Sequence, residues 1–297
     1  MAADDFITNL KENFRQGNIV TRLLYINVGA FLICSLVGII LMLFKVPFSP
    51  WMNVLELPAW WEKFIRQPWS LITYMFMHAD VLHILFNMLW LYWFGKLFLS
   101  FFSSKHLRGL YLLGGICGGV LYMISYHIFP YFEHALPTSY LLGASASVLA
   151  IVVAVAVREP NYPVQLLLFG TVRLRTIALV IILLDLMLIT SGNAGGHISH
   201  LGGALAGWWF AAGLRRGTDV TRWINYVIDF CIGWKKPVVR KPKMKVYYGD
   251  KQKDYDFNAR KKEREAEVDR ILDKLRKSGY GSLSEEEKKR LFDASKK

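Results

Sequence analysis

SYLLGASASVLAIVVAVAV, residues 139–157, carries no charge over 19 positions and is closed by Arg158 and Glu159. At about 1.5 Å per residue, a helix of that length crosses a bilayer core of about 30 Å. Near its start lie the small and hydroxylic residues Gly143-Ala144-Ser145-Ala146-Ser147. Residues of this kind line helix–helix contacts in membranes, and Ser147, Ala150 and Ala154 recur at the spacing such a stripe requires. Ser145 carries more than packing only where a base reaches it, so its partners decide the reading.

Hydrophobic residues make up 54% of the 297-residue chain, more than an ordinary soluble domain carries. Of the 36 Lys and Arg residues, 24 lie from Arg215 onward, which divides the chain into an apolar body and a basic tail. Beside a membrane, such a tail points to anionic lipid at the cytoplasmic face rather than to nucleic acid. Cys34, Cys117 and Cys231 lack metal-ligand spacing, so neither a metal site nor a disulfide framework is indicated.

Five further apolar runs accompany 139–157, at about 23–44, 81–102, 107–129, 174–189 and 198–214. The connection 45–80 is rich in Trp and Pro (Trp51, Pro58, Trp60, Trp61, Trp69) and reads as short interfacial pieces. Pro163–Gly170 is apolar but too short to cross and reads as an interfacial lead-in. Basic residues follow spans two and four (Lys96, Lys105, Arg108; Arg158, Arg173, Arg175), whereas 130–138 and 190–197 contain no Lys or Arg. That alternation places both termini in the cytoplasm. The expected fold is therefore an all-α polytopic membrane protein: a cytoplasmic segment 1–22, a six-span N-in/C-in body 23–214 and a cytoplasmic helical tail 215–297. In the tail, Val220, Trp223, Ile224, Val227, Ile228 and Cys231 make the stripe of an amphipathic surface helix. A basic linker, 235–253, and helical patterns over 258–277 and 283–295 follow, with Ser282-Leu283-Ser284 a cap for the second.

Spans two, four and six run the same way, so residues near their starts share a depth. Ser145, six residues into span four, lies roughly 9 Å below the outer surface. Span two offers His83 and Asn87, four apart on one face. In span six His200, Gly203 and Gly207 share a face on which glycines permit close approach. Singly, each polar residue reads as a hydrogen-bonded structural group; together, ionisable groups at one membrane depth point to function. The chemistry that fits is acyl transfer: a serine made nucleophilic by an imidazole, with amide, imidazole and backbone donors for the oxyanion. His197 is the rival base, but only His200 has glycines three and seven residues on. Asp185 in span five lies near the same depth. It reads as a third triad member or, more simply, as a polar residue packed between helices.

GASAS in span four, HxxGxxxG in span six and HxxxN in span two resemble the rhomboid family of intramembrane serine proteases. The likeness extends over roughly residues 20–214, including the Trp-rich first loop. It implies a dyad of Ser145 (nucleophile) and His200 (base), with His83, Asn87 and the Ser145 N–H forming the oxyanion hole. It also implies transmembrane protein substrates cut in or near their membrane segments, without cofactor. A six-span core with both ends inside resembles bacterial members, so a bacterial cytoplasmic membrane is the expected location. Two positions depart from the family pattern: Ala146 stands where Gly commonly follows the serine, and Ser70 follows Trp69 where many members have Arg. Alanine keeps the backbone N–H and is small; Ser70 bears on how the first loop is anchored. An inactive client-binding relative would lack the serine or histidine. A channel would carry polar groups through the whole thickness, whereas here they cluster in the outer third.

Overall fold

The computed structural model of the chain describes residues 2–166, 170–233 and 251–295. It opens with α1 (Ala2–Gln16) and α2 (Ile19–Leu43). The long connection then folds as α3 (Ser49–Asn53), β1 (Leu57–Pro58), α4 (Trp61–Arg66) and α5 (Ser70–Thr73). Next come α6 (Val81–Leu99), α7 (Ser104–Ile128), β2 (Tyr140–Leu141) and α8 (Ser145–Arg158). A hairpin of β3 (Pro163–Leu166) and β4 (Gly170–Arg173) leads into α9 (Leu174–Met187), α10 (Ala194–Arg215) and α11 (Arg222–Gly233). The tail holds α12 (Lys251–Ser278) and α13 (Glu285–Ser295). Packing divides the chain into two units, 1–236 and 237–297.

Each of the six expected apolar runs contains a helix. Three of these, α2, α6 and α7, are long and apolar enough to cross a membrane. Short polar side chains start them. Asn18, Asp80 and Ser103 accept from the backbone N–H three residues on, filling one of the orphan donors at each helix start. On α2 and α9 large apolar side chains such as Leu32, Leu36, Leu43, Leu183 and Met187 face outward. A surface of that kind suits lipid.

Helix α8 runs through the middle of the bundle, with Ala146 to Ala156 all buried. Only 14 residues long, it covers about 21 Å, less than a bilayer core. The expectation of a 19-residue helix over 139–157 is therefore corrected. Residues 139–144 are extended or turning, and Ser145 opens the helix instead of lying six residues into it. Non-helical backbone survives beside apolar surface only where its polar groups are paired. Here β2 pairs antiparallel with β1 (Leu57 opposite Leu141, Pro58 opposite Tyr140), and Ala59 N–H donates to the Ser139 carbonyl. The Trp-rich connection is thus stitched to the strand that precedes Ser145. The all-α expectation needs the same amendment at 163–173, where β3 and β4 pair in place of an interfacial lead-in. Residues 167–169 of that stretch lie outside the described residues.

Helix α10 packs closely on α7 and α8. A Cβ added at Gly203 would lie 2.8 Å from the carbonyl carbon of Ala146, and one at Gly207 would lie 3.0 Å from that of Ala150. Gly202 likewise faces Gly118 and the Cys117 carbonyl. The glycine face inferred from HxxGxxxG is therefore the contact face. At the opposite end of the bundle α11 docks on α7, where Arg108 donates to Asn225 and pairs with Asp229. Ile224 is buried there, whereas Trp223 and Val227 of the expected stripe remain exposed.

Ser284 and Glu287 form a reciprocal cap: Glu287 N–H donates to Ser284 Oγ, and Ser284 N–H to the Glu287 carboxylate. Lys274–Glu287 and Arg290–Glu267 pairs join α12 to α13 over the buried Ile271 and Leu283. The α12 helix begins earlier than the 258–277 pattern, and most of the basic linker, 234–250, lies outside the described residues.

Because Gly203 faces backbone, Gly203→Val is expected to destabilise the membrane body by about 1–3 kcal/mol, the usual cost of overpacking. Gly192→Ala, with open space around it, is expected to shift stability by less than about 0.5 kcal/mol. Unfolding of the purified variants in detergent checks both; unchanged stability of Gly203→Val contradicts the close approach.

Candidate active site

Ser145 is placed by the turn before it. Gly143 has φ +124, a backbone conformation that side chains resist, and its N–H donates to the Tyr74 carbonyl. A Cβ there would sit 3.0 Å from His83 Nε2 and 3.6 Å from Ser145 Oγ, so glycine is required by both torsion and space. No side chain caps α8, whose first N–H groups therefore have no intrahelical partner. Ser145 thus offers a half-buried hydroxyl and a free-standing N–H at the positive end of a helix.

His200 comes from the first half of α10, held against α8 by the glycine contacts. Its Nε2 lies 2.7 Å from Ser145 Oγ. Its Nδ1 lies 2.8 Å from Asp185 Oδ1, and the same oxygen lies 2.8 Å from Nδ1 of His197. Asp185 sits near the end of α9 with only 4% exposure, and its Oδ2 is buried without a partner. The rival histidines are thereby separated: both meet Asp185, and His200 is the one hydrogen-bonded to the serine. Asp185 contacts the ring that contacts Ser145.

From α6, His83 comes to the opposite side of Gly143. The Ala79 N–H points at its Nδ1 at 3.4 Å, and a backbone N–H only donates, so a neutral ring that accepts there carries its proton on Nε2, the nitrogen nearest Gly143. Asn87, one turn along, is buried and its amide donates to the His83 carbonyl. The four residues singled out from sequence, Ser145, His200, His83 and Asn87, lie at one end of the bundle. Asp185, His197 and His200 offer three ligand atoms within 4.8 Å of one another. These atoms are already joined by hydrogen bonds.

The first loop is anchored without an arginine at position 70. Ser70 is buried, while Trp69 Nε1, Thr73 Oγ1 and Gln67 Nε2 donate to the carbonyls of Val54, Leu55 and Asn53. Lys63 donates to the Pro137 carbonyl, tying the loop to the segment that leads to β2. Ala146 is buried beneath Gly118 and Gly203, where the small side chain fits.

Sequence reasoning passed over His78. It sits in the turn before α6, 5% exposed, with both ring nitrogens unpartnered and its ring 5.2 Å from that of His83. The only signal was a second histidine five residues before His83, in a loop where helical spacing gives no guidance.

A family model described as a rhomboid domain matches residues 65–217, and one described as a family of unknown function matches 251–297. The RHOMBOID-like protein 12, mitochondrial, of Arabidopsis thaliana is 31% identical over 157 residues, half of this chain and 47% of the relative. The Presenilin-associated rhomboid-like protein A, mitochondrial, of Danio rerio is 29% identical over 138 residues, 46% of this chain and 34% of the relative. The chain thus spans less than half the length of these curated relatives.

Burial, and then the neighbouring His83, push the His78 pKa down from 6.5 to about 4, against a backbone contact at Phe76 that raises it. Between those values the unfolded chain binds a proton that the folded chain refuses. Stability is therefore expected to fall as pH drops from about 6.5 towards 4, by at most about 1.4 kcal/mol per pH unit. His78→Leu should flatten that slope, read from unfolding midpoints at pH 7, 6 and 5. A slope unchanged by the substitution contradicts the assignment.

Proposed function

The chain belongs to the rhomboid family, and on that premise we propose that it is an intramembrane serine protease that cuts peptide bonds in or near the membrane segments of transmembrane proteins. The observation that carries the reading is the 2.7 Å approach of His200 Nε2 to Ser145 Oγ. Within that distance the imidazole takes the hydroxyl proton as Oγ attacks the scissile carbonyl, and later returns it to the leaving amine. Oxyanion charge develops beside the Ser145 N–H and His83 Nε2–H, with Asn87 supporting the His83 turn and offering its amide. No cofactor enters the reaction.

In this reading six segments, built on α2, α6, α7, α8, α9 and α10 with their flanking residues, cross the membrane with both termini on the cytoplasmic side. Ser145 then opens toward the outer face. The proposed location is a bacterial cytoplasmic membrane, on the strength of that six-span arrangement; the mitochondrial names of two relatives describe those proteins. In this reading the chain leaves α10 on the cytoplasmic side, and α11 and the basic residues that follow serve contact with anionic lipid and not chemistry.

The test is cleavage of a single-span substrate co-reconstituted in liposomes. Ser145→Ala and His200→Ala are expected to abolish turnover. Asn87→Ala is expected to lower it about 10²-fold, the usual cost of one oxyanion donor. Cleavage that persists in Ser145→Ala contradicts the reading. A folded wild type that binds substrates without cutting any favours a client-binding protein instead.

A further inference from the structure

Asp185 Oδ1 receives both His197 Nδ1 and His200 Nδ1 at 2.8 Å, one from each of two successive faces of the α10 entrance. A carboxylate oxygen in the ionised form only accepts, so with Asp185 ionised the geometry fits a proton on Nδ1 of each ring. In the neutral His200 ring, Nε2 is then bare, and Nε2 is the atom facing Ser145 Oγ. The opposite tautomer would donate to Oγ and have no lone pair for the serine proton. The carboxylate also has a cost that packing alone does not explain: Oδ2 is buried with no partner. A neutral amide would fill the same space without burying a charge.

We propose that Asp185 is a positioning residue of the Ser145–His200 pair, converting a dyad into a triad, and that His197 is the clamp that orients its carboxylate. The inference rests on the protease reading for its catalytic consequence, though not for the tautomer. As Ser145 forms its bond to the substrate carbonyl carbon, the hydroxyl proton moves to His200 Nε2. The Nδ1 proton stays where it is, and the new imidazolium faces the Asp185 charge across 2.8 Å. His197 donates to the same oxygen from three residues earlier, fixing Oδ1 towards α10. One carboxylate thus staples the end of α9 to the first turns of α10 and sets which face of the His200 ring is basic.

The test pairs two readouts on the full chain. In ¹⁵N-histidine NMR in micelles at neutral pH, with His200 and His197 assigned by difference from His200→Gln and His197→Gln, wild-type His200 is expected to carry its proton on Nδ1. Asp185→Asn is expected to move it to Nε2, because the amide donates to Nδ1. In parallel, Asp185→Asn is expected to lower kcat about 10²–10⁴-fold at unchanged KM, the range over which a triad carboxylate acts. It should be at least as damaging as Asp185→Ala, with Asp185→Glu recovering part of the loss. A purely structural role predicts the reverse order, with the isosteric Asn the mildest change, and is excluded by that result. Wild-type His200 protonated on Nε2, or full kcat in Asp185→Asn, overturns the proposal and leaves the dyad standing. A His200 tautomer that follows Asp185 as described, in a wild type that cleaves nothing, upholds the positioning role and overturns the protease reading instead.

Discussion

The approach of α10 to α8 across Gly203 and Gly207 is the constraint from which the rest of the site follows. Two backbones come together there because neither glycine places a carbon between them; any side chain at 203 would meet the Ala146 carbonyl. His200 lies one turn before Gly203 and Ser145 immediately before Ala146, so the close contact sets the separation of the two side chains. In a membrane, where apolar burial gives little preference for one helix pairing over another, this steric fit supplies the specificity. It also holds His200 Nε2 within hydrogen-bond reach of Ser145 Oγ.

A second constraint acts from the other side of Ser145. The 139–144 segment is held away from helical conformation by pairing with β1, and Gly143 absorbs the torsion that turns the chain into α8. A continuous helix from residue 139 would consume the Ser145 N–H in an i→i−4 bond. Starting the helix at Ser145 leaves that donor available and puts the positive helix end beside the Ser145 hydroxyl. The Trp-rich loop matters for the same reason: anchored through Lys63, Trp69 and Thr73, it supplies the β1 partner that keeps 139–144 extended.

The residue types of the site and the order of the helices were legible from sequence. His83 and Asn87 at i, i+4, and His200, Gly203 and Gly207 at i, i+3, i+7, obey helical spacing. What lay beyond reach depends on contacts between distant segments. Hydropathy cannot separate 139–144 from 145–157, because both are oily, and the helix start is set by pairing with Leu57 and Pro58, some 80 residues away. The β3–β4 hairpin was hidden for the same reason. Asp185 was visible as a charge in an oily helix, but the sharing of its oxygen by His197 and His200 depends on the α9–α10 turn geometry, which no periodicity encodes. His78 lies in a loop, where residue spacing does not report direction.

The claim at the centre of this account is that His200 makes the Ser145 hydroxyl a nucleophile. Peptide mapping by mass spectrometry after treatment with a fluorophosphonate measures that directly, without need of a physiological substrate. The account predicts a single phosphonylated serine, Ser145, in the wild type, with modification reduced to background in His200→Ala and retained in His197→Ala. Modification of Ser145 at the wild-type rate in folded His200→Ala, or its loss in His197→Ala alone, would contradict it.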